Sequence, residues 1–109
     1  MDITHILQFK RSADTLYKLR DYTSATILYF KTWFAIQDHI LLDKMGRAPK
    51  DHTERFRLLE KAFPQTYQKL DLEFSTYRET YSRTVDKATC DRIKRTVEDE
   101  LKNYSIKPD

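Results

Sequence analysis

The chain has 109 residues, 34% of them charged and 39% hydrophobic, with one glycine, three prolines and one cysteine. That length predicts a single domain over residues 1–109 with one modest core, and excludes two lobes around a cleft. The 13% of Phe, Trp and Tyr excludes a disordered chain, the lone Cys90 excludes an intrachain disulfide, and a net charge of +3 from interleaved charges permits RNA or nucleotide binding without requiring it.

The first element runs from about Ile3 to Leu19, with Ile3, Ile6, Leu7, Ala13, Leu16 and Tyr17 on an apolar face and Asp2 as the expected N-cap. A polar connector, Arg20-Asp21-Tyr22-Thr23-Ser24, offers Thr23 or Ser24 as the next cap. From there to Met45 nothing breaks a helix, and Gly46 stands where a left-handed residue closes one. Some 22 residues at 1.5 Å each give roughly 33 Å, long for so small a domain. Ala25, Ile27, Leu28, Phe30, Trp33, Phe34, Ile36, Ile40 and Leu41 cover more than one stripe of this helix, which predicts burial on most sides.

A loop at Gly46-Arg47-Ala48-Pro49-Lys50 leads to a capping box, in which Asp51 accepts from the Glu54 amide while Glu54 reaches back. A short helix with Phe56, Leu59 and Phe63 follows, and Pro64 ends it or opens the next. Tyr67, Leu70, Phe74, Tyr77 and Tyr81, spaced 3, 4, 3, 4, form a narrow packing seam. Asp86 caps a last helix with Cys90, Ile93, Val97, Leu101 and Tyr104 inward, and the tail from Ile106 to Asp109 is expected to fray. The fold class is all-α, an up-and-down bundle of four to five helices around a long central second helix.

The N-terminus lacks the basic and apolar regions of a signal peptide, and no uncharged stretch approaches the ~18–20 apolar residues of a membrane span. A cytoplasmic protein without membrane partners is expected. Similarity of Leu19 to Phe30 to a tetratricopeptide repeat has no second copy near Thr53 to Pro64.

No metal and no cofactor is expected. His5, His39 and His52 lie on three segments without ligand spacing, and one glycine cannot form a phosphate loop. The start of the third helical segment near Lys50 is the best anion site, but Asp51 and Glu54 are expected to occupy its amides. Cys90 shares a face with Ile93 and Val97, the pattern of a buried thiol. Metal-free RNA cleavage needs an acid or base and a cation near the phosphate. Arg47 and His52, with Lys50 between them, offer that pair, although a solvated loop carries the same residues. Arg78 and Tyr81 are three apart in Tyr77-Arg78-Glu79-Thr80-Tyr81, with Arg83 beyond. Such a group can stack on bases and hold phosphate, or can pack and snorkel along the seam.

The whole pattern resembles the HEPN family, the higher-eukaryote and prokaryote nucleotide-binding helical domain, in a small prokaryotic or archaeal form. Asp21-Tyr22-Thr23-Ser24-Ala25, Leu28-Tyr29-Phe30 and Trp33-Phe34-Ala35 resemble the start of that family's long second helix. Gly46 to His52 resembles the loop after it, and Tyr77 to Tyr81 the segment with an Arg and, in one branch, a Tyr three residues later. The resemblance implies a homodimer handling RNA or nucleotides, often in toxin–antitoxin or defence systems beside a nucleotidyltransferase. Ribonuclease members carry Arg, four to six residues, then His near the start of a late helix. Here the positions after Arg78 are Arg83, Thr84 and Val85, and those after Arg83 are Ala88, Thr89 and Cys90. The expectation is therefore a non-catalytic module with Arg78, Tyr81, Lys50, His52 and Arg83 at its ligand. The alternatives are a metal-independent ribonuclease using His52 with Arg47 or Arg78, and a helical protein–protein adaptor.

Overall fold

The computed structural model describes residues 3–107, and every regular element in them is a helix. Asp2, the expected first cap, and Pro108 and Asp109 of the tail lie outside the described residues. The helices are α1 (Ile3–Lys18), α2 (Tyr22–Met45), α3 (His52–Ala62), α4 (Pro64–Glu79) and α5 (Lys87–Asn103).

Helix α2 is the axis of the bundle, and each of the other four helices packs against it. Its side chains at 32–37 are buried without interruption, more than a full turn, so no face of that stretch meets water. Thr26 and Thr32 are buried there because each hydroxyl donates to the carbonyl four residues back, Tyr22 O and Leu28 O. Tyr29, also fully buried, donates to Asp14 of α1 at 2.6 Å, and burial and that carboxylate push its phenol far above the usual range.

Two helix ends differ from the sequence expectation. The cap of α2 is Asp21, whose carboxylate accepts from Ser24 N, so Tyr22, Thr23 and Ser24 belong to the helix and not to the connector. The reason lies one step upstream. Arg20 takes a left-handed conformation (φ 63°), and the amides of Arg20 and Asp21 bond back to Tyr17 O and Leu16 O. These are the two bonds of a Schellman motif, which reverses the chain within three residues. Thr23 is left free to accept from Val85 N at 2.8 Å, pinning the segment that leads into α5.

The same motif closes α5 and corrects the expectation of a fraying Ile106. Ser105 is left-handed (φ 57°), Ser105 N bonds to Lys102 O, and Ile106 N bonds to Leu101 O. Ile106 then occupies the position whose side chain folds back on the helix, and it is only 6% exposed. Gly46 closes α2 as expected, at φ 77° with its amide on Leu42 O. Phe63 serves as the only joint between α3 and α4, with Pro64 opening α4.

Polar ties lock the outer helices. Glu100 of α5 is 1% exposed and accepts from Trp33 Nε1 (3.3 Å) and Thr66 Oγ1 (3.0 Å), while Tyr104 OH donates to Thr66 Oγ1 at 2.7 Å. Arg92 holds Glu73 of α4 with two hydrogen bonds, and Tyr17 of α1 donates to Asp91 of α5.

Glu100→Ala removes the acceptor of two buried donors and is expected to lower the unfolding free energy by about 3 kcal/mol in urea denaturation. A loss below about 1 kcal/mol would rank the network with exposed polar contacts. Ser105→Gly is expected to raise stability by about 1 kcal/mol, because glycine adopts the left-handed conformation without the Cβ penalty.

Candidate functional site

The sequence candidates fall into three neighbouring groups. The first is the loop before α3. Asp51 Oδ1 accepts from Glu54 N at 2.8 Å, and Glu54 Oε1 reaches back to the Lys50 amide (3.1 Å), one residue earlier than the expected capping box. Arg47 pairs with the same Glu54 oxygen at 2.9 Å, and the Arg47 contact leads the effects that hold that carboxyl below its usual range. Arg47 therefore serves the helix cap and does not pair with His52. Of the amides that open α3, that of Glu54 is held by the Asp51 carboxylate, while the Glu54 carboxylate holds the Lys50 amide just before the helix.

The second group surrounds His52, the first residue of α3. Its ring packs against Phe34 of α2 (4.8 Å between centroids) and Phe74 and Tyr77 of α4 (5.3 and 5.8 Å). Its Nδ1 lies 2.6 Å from Nη1 of Arg55, whose Nη2 donates to Asp38 Oδ1 at 2.8 Å. A guanidinium only donates, so Nδ1 must be the acceptor, and the neutral ring carries its proton on Nε2. Burial and then the charge of Arg55 lower the imidazole pKa, with Asp38 and Asp51 opposing. Neither ring nitrogen has a free lone pair in this arrangement, so His52 as placed is no general base.

Arg55 is the residue the sequence reading missed. Its side chain is 9% exposed, its guanidinium lies 5.0 Å from the Phe34 ring centroid, and it joins α3 to α2 through Asp38. The available signal was helical spacing: Arg55, Leu58, Leu59 and Ala62 share one face of α3, and Arg55, Leu58 and Leu59 are buried.

The third group is the end of α4. Tyr81 does not continue the packing seam, because α4 stops at Glu79 and the amides of Thr80, Tyr81, Ser82 and Arg83 turn back onto the carbonyls of residues 77–79. Tyr81 is 76% exposed, yet its ring stands edge-to-face on Tyr77 and the two hydroxyls hydrogen-bond at 2.7 Å. Burial and this bond push the Tyr77 phenol up to about 12, so it stays protonated at neutral pH. Arg78 lies 5.8 Å from the Phe74 ring centroid and, with Arg83, Ser75, Ser82 and Glu79, lines a shallow depression of about 330 Å³. Among the described residues no carboxylate oxygen lies within ion-pair distance of Arg78 or Arg83. A second depression, of about 210 Å³, shares Glu79 and Arg83 and runs to Asp86 and Thr89 at the start of α5.

The structure thus brings His52 and Arg78 against one ring, Phe74, and sets Arg47 and Lys50 apart in the cap. Among the described residues no group of three or more His, Cys, Asp or Glu is placed to hold a metal ion, and no helix is long and apolar enough to cross a membrane. Cys90 is buried, and burial pushes its thiol up, away from the reactive thiolate.

Two arginines of the α3 end should respond very differently to substitution. Arg55→Met strands the mostly buried Asp38 carboxylate and is expected to cost about 3 kcal/mol in chemical denaturation. Arg47→Ala, at an exposed guanidinium, is expected to leave the unfolding midpoint where it was. Equal losses would contradict the division of labour described above.

Comparison with family models, curated proteins and solved structures finds no match to this chain.

Proposed function

We propose that the chain is a non-catalytic, HEPN-like helical module that binds RNA or a nucleotide at the end of α4. The observation that carries this reading is the pair of unpaired guanidiniums, Arg78 and Arg83, sharing a depression with the hydroxyls of Ser75 and Ser82 beside the exposed, braced ring of Tyr81. Guanidiniums and hydroxyls hold phosphate oxygens, and a tyrosine fixed by its own hydroxyl gives a base a platform at little entropic cost. The carbonyl end of a helix repels anions, but here the 80–83 turn already occupies the last carbonyls of α4. The second depression leads toward the first turn of α5, whose dipole favours negative charge. Glu79 lies in both depressions, where its carboxylate opposes a bare polyanion and accepts from sugar hydroxyls or base amino groups. That preference favours a nucleotide unit over free phosphate.

The order and lengths of the helices support the HEPN-like reading, and the homodimer or nucleotidyltransferase partner that the resemblance implies belongs to the same proposal. A ribonuclease acting through His52 draws no support from the geometry, since Arg55 occupies Nδ1 and Arg47 is tied to Glu54.

The test is fluorescence anisotropy with a labelled single-stranded oligoribonucleotide at low and moderate salt. Arg78→Ala and Arg83→Ala are each expected to weaken binding and to flatten the log–log salt slope by about 0.7. Tyr81→Ala should cost on the order of 1–3 kcal/mol of binding, and Tyr81→Phe much less. No binding by the wild type at low salt, or unchanged slopes in both arginine variants, would refute the reading.

A further inference from the structure

His52 sits where a proton is unwelcome. Its Nδ1 accepts from Arg55, whose other terminal nitrogen is committed to Asp38, and the rings of Phe34, Phe74 and Tyr77 pack against the imidazole. Charged and titratable groups come from α3 and its cap, α2 and α4, with α1 at the edge of the adjoining groove. Helix α3 and its cap supply Arg55 and Asp51, with the Arg47–Glu54 pair at the same helix end, and α2 supplies Asp38. Helix α4 presents only the uncharged Phe74 and Tyr77, with Arg78 against Phe74. The groove that also borders Phe34 and Asp38 carries His5 of α1 and Lys31 of α2. A cation on His52 would also stand at the amino end of a helix, where the dipole disfavours it.

We propose that His52 and Arg55 form a proton-operated latch on the amino end of α3. A proton taken from solvent onto Nδ1 turns the acceptor into a donor and sets two cations against each other. His52 then leaves its aromatic box, and residues 46–54 come away from α2 and α4. Arg55 keeps Asp38, so the core side of α3 stays seated. The latch is closed at neutral pH. Because the imidazole pKa is lowered by folding, the stability it contributes is fully present above its unfolded value of about 6.5 and is lost as pH falls through the lower folded value. Tyr77 touches both His52 and Tyr81, so opening removes one support of the exposed ring. That last consequence rests on the RNA-binding reading, whereas the latch itself does not.

The latch is therefore tested without ligand, by hydrogen exchange of the full chain at pH 7.5 and 5.5 with intrinsic rates corrected. Amides of residues 54–56 are expected to lose protection in acid, by up to about tenfold, the limit set by pH 5.5 lying about one unit below the open imidazole pKa of about 6.5, while α5 is unchanged. His52→Asn keeps an oxygen acceptor for Arg55 but cannot titrate, and is expected to abolish the acid response. Equal protection of the wild type at both pH values, or the same loss in His52→Asn, would overturn the proposal. Should that variant fail to fold, an NMR titration of the wild-type His52 ring decides: an Nε2–H tautomer with a lowered pKa supports the latch, and an ordinary or raised pKa refutes it. Oligonucleotide binding enters neither readout, so failure of the latch and failure of the RNA reading remain separable.

Discussion

Glu100 accepts hydrogen bonds from Trp33 on α2 and Thr66 on α4 in an interior that water does not reach, with Lys69 of α4 at 3.7 Å from its other oxygen. Apolar burial holds helices together but leaves their rotation about one another loosely set. A buried carboxylate with directional donors on two neighbours has few acceptable geometries, because any slip leaves a polar group unsatisfied. The relation of α5 and α4 to the axis helix follows from this one residue. The Glu73–Arg92 pair repeats the α4–α5 tie about two helical turns away, and the α4 end that carries Arg78 is thereby tied to the first half of α5.

Much of this fold was legible in the sequence, and for physical reasons. Gly46, Pro64, Asp51 and Asp86 mark helix ends through backbone rules that act locally, and each stands where those rules put it. The apolar girth of α2 announced an axis because a helix with no polar face has nowhere else to be. What escaped was structure that depends on a conformation the residue type does not advertise. Arg20 and Ser105 adopt the left-handed conformation without being glycine, so the cap at Asp21 and the burial of Ile106 were not signalled.

The candidate site was legible in its parts and not in its connections. Arg78, Tyr81 and Arg83 do gather at one helix end, but the 80–83 turn that gathers them has no strong turn residue in Thr80-Tyr81-Ser82. His52 stands out in the sequence as a chemical group, whereas nothing singles out Arg55, the partner that fixes its tautomer. Arginine on a buried helix face is uncommon and needs a carboxylate across the interface, and Asp38 lies on a different helix, 17 residues upstream. Pairings at that separation are tertiary facts, which spacing along one helix cannot supply.

The aromatic cluster explains why the α3 cap and the α4 end behave as neighbours despite lying on separate helices. Phe74 meets His52, Phe34, Phe56 and Tyr77, while Arg78 lies near its ring. A ring contacted from so many sides cannot turn without displacing several of them. A change in the charge of His52 therefore acts first on Phe74 and Tyr77, and through Tyr77 on the hydroxyl that braces Tyr81. Asp38 and Arg55 limit how far that disturbance spreads into α2, since their hydrogen bond at 2.8 Å does not involve the imidazole. The asymmetry matters: the side of α3 that faces the axis is anchored by an ion pair, and the His52 end that faces α4 by ring contacts with Phe74 and Tyr77. Opening of the latch accordingly separates the start of α3 from α4, the helix whose end carries Arg78.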